Sequence, residues 1–209
     1  MPHNLISRPR KDTITLAVIE SSRLAAWRKG LSRAQRAWLE QTGFSGHPGS
    51  WAMLPNEKGG LKGAVFVTGA ETDMWSWSTL ATRLPDVSFK IVGRLSQSVA
   101  NDAALGWGFA AYEFTRYRAA KLSRPDLVWP ANADRTAVRQ MLDATTLLRD
   151  LINIPAEDLG PSELANEARK VGRTFKARVR VTTGDALIKA NYPMIHMVGR
   201  ASDDASRLL

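Results

Sequence analysis

A chain of 209 residues, 44% hydrophobic and 23% charged, has room for one large domain or a small one with part of another, and it falls among folded globular proteins rather than disordered or fibrous ones. With no cysteine, a disulfide framework, a thiolate metal site and a cysteine nucleophile are all excluded. The formal charge of +9 is spread along the chain, from Arg8 and Lys11 to Arg178 and Arg180, so a solvated basic surface is expected and a nucleic-acid-binding face is the alternative.

No apolar run approaches the ~20 residues that a membrane-spanning helix needs, and the opening dozen residues lack the apolar centre of a secretory signal. The expected compartment is the cytoplasm, with no membrane partner.

Residues 13–19 are a β-rich apolar run, read as a buried strand. Ser32 opens an amphipathic helix around Ala34, Ala37 and Trp38, and Gly43 closes it. Two strand-like runs, 50–54 and 63–68, flank a turn marked by Pro-Asn and Gly-Gly. Residues 74–84 read as a helix with Trp75, Leu80 and Leu84 on one face, and 87–93 as a further strand. Residues 98–118 place Val99, Leu105, Phe109, Tyr112 and Phe114 at roughly helical spacing, and their alanines and glycines permit close approach of another element. Strands alternating with helices argue for a three-layer α/β domain with a mostly parallel sheet.

The two prolines of 123–134 disfavour helix in the residues before them, which makes this segment the expected interdomain linker between a domain at 1–122 and a second region at 135–209. Asp134 is an expected N-cap for a helix whose Val138, Met141, Leu142, Thr145, Leu148, Leu151 and Ile152 form an apolar stripe for burial. Pro155 ends that helix and Gly160-Pro161 starts the next. Residues 178–182 alternate as a half-buried strand does. Gly184-Asp185 begins a short helix, and Tyr192-Pro193 breaks it before another.

Candidate chemistry is sparse. None of His3, His47 and His196 has a second donor at ligand spacing; His196 is expected as a packed, hydrogen-bonded side chain and His47 as a loop residue. Gly59, Gly60 and Gly63 lie between strands and do not open a helix, so a turn is preferred to a phosphate cradle. Asp150, Glu157, Asp158 and Glu163 are read as caps and surface groups rather than an acid-base or metal set. No nucleophile elbow or Walker sequence is present. The seven tryptophans all precede Pro130, and packing is preferred to base stacking for them.

Two phrases carry a resemblance. Residues 147–172, LLRDLINIPAEDLGPSELANEARKVG, are similar to the opening of the catalytic domain of leucyl (cytosol) aminopeptidases, and 184–202, GDALIKANYPMIHMVGRAS, to a later phrase of the same domain. ALGWGFAAYEFTRYR resembles the helix before that family's linker. The resemblance implies an N-terminal non-catalytic domain at 1–122, a linker at 123–134 and a truncated first part of an α/β peptidase domain at 135–209. It implies a two-metal exopeptidase, with manganese or zinc ions activating a bridging water, that releases N-terminal residues from peptides and assembles as a homo-hexamer. The family's metal and catalytic motifs follow its Val-Gly-Arg-Ala-Ser phrase, here residues 198–202, so no catalytic, cofactor-binding or metal residue is expected in this chain and the fragment alone is expected to be inactive.

Overall fold

The computed structural model describes residues 3–56, 59–120 and 123–209. They form two compact units, one running to Thr146 and one of Leu147–Leu209.

In the first unit, β1 (Leu5–Ile6) and β2 (Ile14–Glu20) precede a short 3-10 turn, α1 (Leu24–Lys29) and α2 (Arg33–Gln41). Then come β3 (Trp51–Pro55), β4 (Leu61–Thr68), α3 (Met74–Arg83), β5 (Ser88–Val92), α4 (Gln97–Ala110), β6 (Asp126–Val128) and α5 (Arg135–Asn153), which passes into the second unit. Six strands form one sheet in the order β1-β6-β5-β2-β4-β3, parallel throughout except for β3, which runs antiparallel to β4. The domain is the expected α/β sandwich with a mostly parallel sheet.

Alternation along β4 shows why three layers form. Ala64 and Phe66 join Leu16, Phe89, Trp77, Leu80 and Trp107 on the face covered by α3 and α4. Val65 joins Leu39, Ala52 and Leu54 on the other face, against α1 and α2. A strand buried on both sides must be apolar at nearly every position, and β4 is buried from Gly63 to Val67. Phe66 meets Trp77 at 5.0 Å between ring centroids, and Phe89 meets Trp107 at 5.9 Å. Each fully buried side chain of this size contributes roughly 1.5–3 kcal/mol.

Helices α3 and α4 approach closely because of one residue. A β-carbon at Gly106 would collide with the Met74 carbonyl oxygen and lie 2.8 Å from the Ser78 amide nitrogen. Trp107, the next residue, donates from its indole nitrogen to the Pro125 carbonyl at 2.7 Å, tying α4 to the chain entering β6.

Local punctuation matches the sequence at the helix starts. Ser32 and Gln35 form a reciprocal capping box, each side chain accepting from the other's amide at 3.2 Å. Asp134 accepts from the amides of Thr136 and Ala137 at 3.1 and 3.0 Å.

Elsewhere the structure departs from the expectation. The helix expected over 98–118 ends at Ala110, since the Tyr, Phe and Thr residues that follow are weaker helix formers than the alanines before them. Trp75 is 59% exposed and stacks on Phe109 at 6.1 Å, while Trp77, Leu80, Ala81 and Leu84, a true i, i+3, i+4, i+7 set, face the core. Residues 123–134, expected as a linker, contribute β6 to the sheet, because prolines bracket a strand as readily as they interrupt a helix. In the stripe of α5 only Val138 and Leu142 are buried, against Ala104 and Trp129; Met141, Leu148 and Ile152 are exposed.

Candidate functional site

The second unit contains the end of α5, α6 (Pro161–Thr174), β7 (Thr182–Thr183), α7 (Asp185–Lys189), α8 (Pro193–Gly199) and β8 (Arg207–Leu208). The helix starts are as read from the prolines. The strand expected over 178–182 is not formed: only Thr182 and Thr183 pair, antiparallel to Leu208 and Arg207, while Val179 packs against Gly172 of α6. Alternation alone makes no strand where no partner edge is in register.

At the start of α6 the Gly-Pro-Ser-Glu sequence is held from two sides. Glu163 reaches back to accept from the Gly160 amide at 3.1 Å. Asp204 accepts from the Ser162 amide at 2.7 Å and its hydroxyl at 2.9 Å, and Arg207 donates to the other carboxylate oxygen at 2.5 Å. The Arg207 hydrogen bond, followed by that from the Ser162 amide, holds the Asp204 carboxyl below its ordinary value. This junction escaped the sequence reading because Ser162 and Asp204 are 42 residues apart and share no periodic signal.

Beside the junction lies an open groove of about 650 Å³ lined by Leu159, Pro161, Leu164, Met194, Val198 and Leu209. Met194 and Val198 are 74% and 86% exposed. Ser206 and Arg207 also line it, but most of its lining is apolar, so it suits the docking of apolar side chains.

The titratable candidates do not converge. His196 Nε2 lies 3.3 Å from Asp185 Oδ1, a two-membered pair. His3 Nε2 lies 2.8 Å from Asp143 Oδ1 in the first unit, a contact between residues 140 apart that no sequence pattern signals. His47 is exposed in the loop before β3. Asp150 and Asp158 lie at the end of α5 and in the turn after it, Glu157 is exposed in that turn, and Glu163 serves α6 as a cap. Gly60 closes the β3–β4 connection by accepting from the Asn56 amide at 2.7 Å, so this glycine segment is a turn. Among the described residues no group of three or more His, Cys, Asp or Glu side chains is placed to hold a metal ion, and no helix is long and apolar enough to cross a membrane.

Comparison with known proteins finds two family models along the chain. Residues 14–130 match the N-terminal domain of M17 aminopeptidases, and residues 146–209 match the catalytic domain of the cytosol aminopeptidase family. Peptidase B of Yersinia pseudotuberculosis is 39% identical over 115 residues, covering 51% of this chain and 26% of that protein. The cytosol aminopeptidase of Coxiella burnetii superposes with a TM-score of 0.83 at 28% identity, over 97% of this chain and 44% of that one. The bottromycin maturation enzyme BotP in complex with Mn shares the fold, with a TM-score of 0.66 at 21% identity over 94% of this chain and 44% of that one. The chain thus spans about a quarter of the length of the curated relatives it matches and under half that of the solved ones.

Proposed function

The chain belongs to the M17 aminopeptidase family, and from that premise we propose that it is the N-terminal portion of a leucyl aminopeptidase, an exopeptidase releasing N-terminal amino acids from peptides. The observation that carries this reading is the order of the two matches, the M17 N-terminal domain over 14–130 and the catalytic domain over 146–209, on a chain that superposes almost entirely on less than half of the Coxiella enzyme.

On this reading the residues that act on the peptide lie outside the 209 present. The residues described do not fit a metal pair: Asp185 and His196 stand alone as two, and Asp204 is engaged by Arg207 and Ser162. On this reading two divalent ions, manganese or zinc, belong to the complete enzyme. The complete enzyme is a homo-hexamer acting on peptides in the cytoplasm, and the 209-residue chain alone neither binds the metals nor hydrolyses peptides. The exposed groove at Met194 and Val198 supports this, being an apolar face that further chain of the same domain would cover.

The alternative, a basic module binding nucleic acid, is not favoured. The tryptophans that raised this alternative serve packing instead at Trp77 and Trp107, which are core residues, at Trp129, which is buried beneath the guanidiniums of Arg135 and Arg139 at 5.6 and 5.3 Å, and at Trp75, which is stacked on Phe109.

Leucine p-nitroanilide hydrolysis with added Mn²⁺, measured on this chain and on one extended through the downstream coding sequence, tests the proposal. Activity confined to the extended protein is expected. Activity in the short chain overturns the assignment of chemistry to the missing part and makes Asp150, Glu157, Asp158 and His196 the first residues to mutate; inactivity of both removes the exopeptidase assignment.

A further inference from the structure

The first unit holds a second concave feature, unrelated to the groove above. In an open parallel sheet, ligands bind outside the carboxyl ends of the strands where the winding reverses. Here that point lies between β2, whose following helices cover one face, and β5, whose following helix covers the other.

The register opens a crevice at this point. β2 pairs with β4 as far as Glu20↔Thr68, but with β5 only as far as Ala17↔Val92. Gly93 then takes a φ of +99°, which carries the chain off the sheet and into the approach to α4. The edge of Val18–Glu20 that faces β5 is left without a strand partner, so its backbone groups face a crevice of about 600 Å³, within the ~300–1,000 Å³ of small-molecule sites.

The walls have a definite chemistry. Arg23, from the turn after β2, and Arg94, from the loop after β5, both line the crevice. Both are exposed, and neither makes an ion pair or side-chain hydrogen bond to a described residue. Two unpaired guanidiniums on one small crevice match a dianionic phosphate better than a single carboxylate. Trp27, Val18 and Val99 supply flat apolar surface, and Glu20, at the end of β2, can accept from hydroxyl or amino donors. An acidic residue at a strand end takes that role toward a ribose in other doubly wound sheets.

We propose that this crevice binds a mononucleotide-class organic phosphate, with the phosphate on Arg23 and Arg94, the planar base against Trp27 and the sugar hydroxyls on Glu20. The site belongs to the first unit and does not depend on the peptidase assignment.

Isothermal titration calorimetry of the 209-residue chain at low ionic strength tests it with AMP, inorganic phosphate and adenosine. Saturable AMP binding is expected, with phosphate and adenosine each at least about tenfold weaker, because each probe lacks one half of the contacts. Arg23→Ala and Arg94→Ala, at exposed positions, should each weaken AMP roughly tenfold, Arg94→Lys should recover part of the loss, and Arg180→Ala in the other unit should change nothing. Absence of saturable AMP binding, adenosine binding as tightly as AMP, or AMP affinity unaltered in Arg94→Ala with an unchanged melting curve would each overturn the proposal.

Discussion

Asp204 accepts hydrogen bonds from both the amide and the hydroxyl of Ser162, at 2.7 and 2.9 Å, so the first turn of α6 is closed by a carboxylate 42 residues further along the chain. A carboxylate at this place satisfies an amide that lacks an intrahelical acceptor and meets the positive end of the helix dipole. Arg207 braces the same group.

This junction gives the first turn of α6 an acid limb. The folded-state carboxyl of Asp204 is held below 3.8, so its contribution is fully present above that pH and is lost as pH falls through the depressed folded value. Amide hydrogen exchange at the start of α6, corrected for intrinsic rate, should show protection collapsing on that acid limb. In Asp204→Asn the protection should be lower at neutral pH and nearly flat across the same range; an acid limb retained in the variant would assign it to another group.

Gly106→Ala should destabilise the first unit by about 1–3 kcal/mol, since a β-carbon there is driven into the backbone of α3. Gly30→Ala, whose added carbon would meet only the Trp27 carbonyl at 3.5 Å, should stay within about 0.5 kcal/mol of the parent. Urea unfolding followed by tryptophan fluorescence compares the two, and equal midpoints would show that α3 and α4 can separate at little cost.

Trp107 and Trp77 are both fully enclosed, but only Trp107 has a protein partner for its indole nitrogen, the Pro125 carbonyl. Replacing either by Phe removes similar volume, whereas only Trp107→Phe leaves that carbonyl without its donor. Trp107→Phe should therefore cost about 1 kcal/mol more than Trp77→Phe in the same denaturation assay. A difference near zero, or of opposite sign, would show that the tie between α4 and β6 is replaced by solvent.

The exposed groove of the second unit makes the isolated chain prone to self-association, because a contiguous apolar patch open to water gains by meeting another. Light scattering during size-exclusion chromatography should show a concentration-dependent rise in mass. Val198→Glu with Met194→Gln should reduce it, and Arg180→Ala should not. Identical behaviour of all three would place the sticky surface elsewhere, with the exposed Leu148 and Ile152 of α5 as the next candidates.

How much of this was legible before the structure differs by element. Helix starts at Ser32, Asp134 and Pro161 were readable because a cap acts over three residues. The end of α4 was not, since apolar residues continue past Ala110 and only the competition between helix propensity and packing stops it there. The face of α3 was misread by two residues, because Trp75 and Trp77 are equally apolar and only their phase relative to Leu80 and Leu84 separates them. Of the candidate site residues, His47 was legible as a loop residue, because Pro48 and Gly49 beside it mark a break between elements. The Asp204 junction and the partnership of His3 with Asp143 depend on distant segments and had no sequence signal.

By itself the sequence determined the alternation of strand and helix, the caps, and the family, the last through two phrases of nearly twenty residues or more whose order is hard to match by chance. These are properties of neighbouring residues, set by backbone sterics, hydrogen bonding within one turn and apolar periodicity. Only the tertiary structure decided the strand order, the use of Asp126–Val128 as a strand, which apolar positions stay open to water and where the crevice beside Glu20 lies. Those features depend on which distant segments end in register, and β2 outlasting β5 by three residues is a relation between two strands that neither one carries alone.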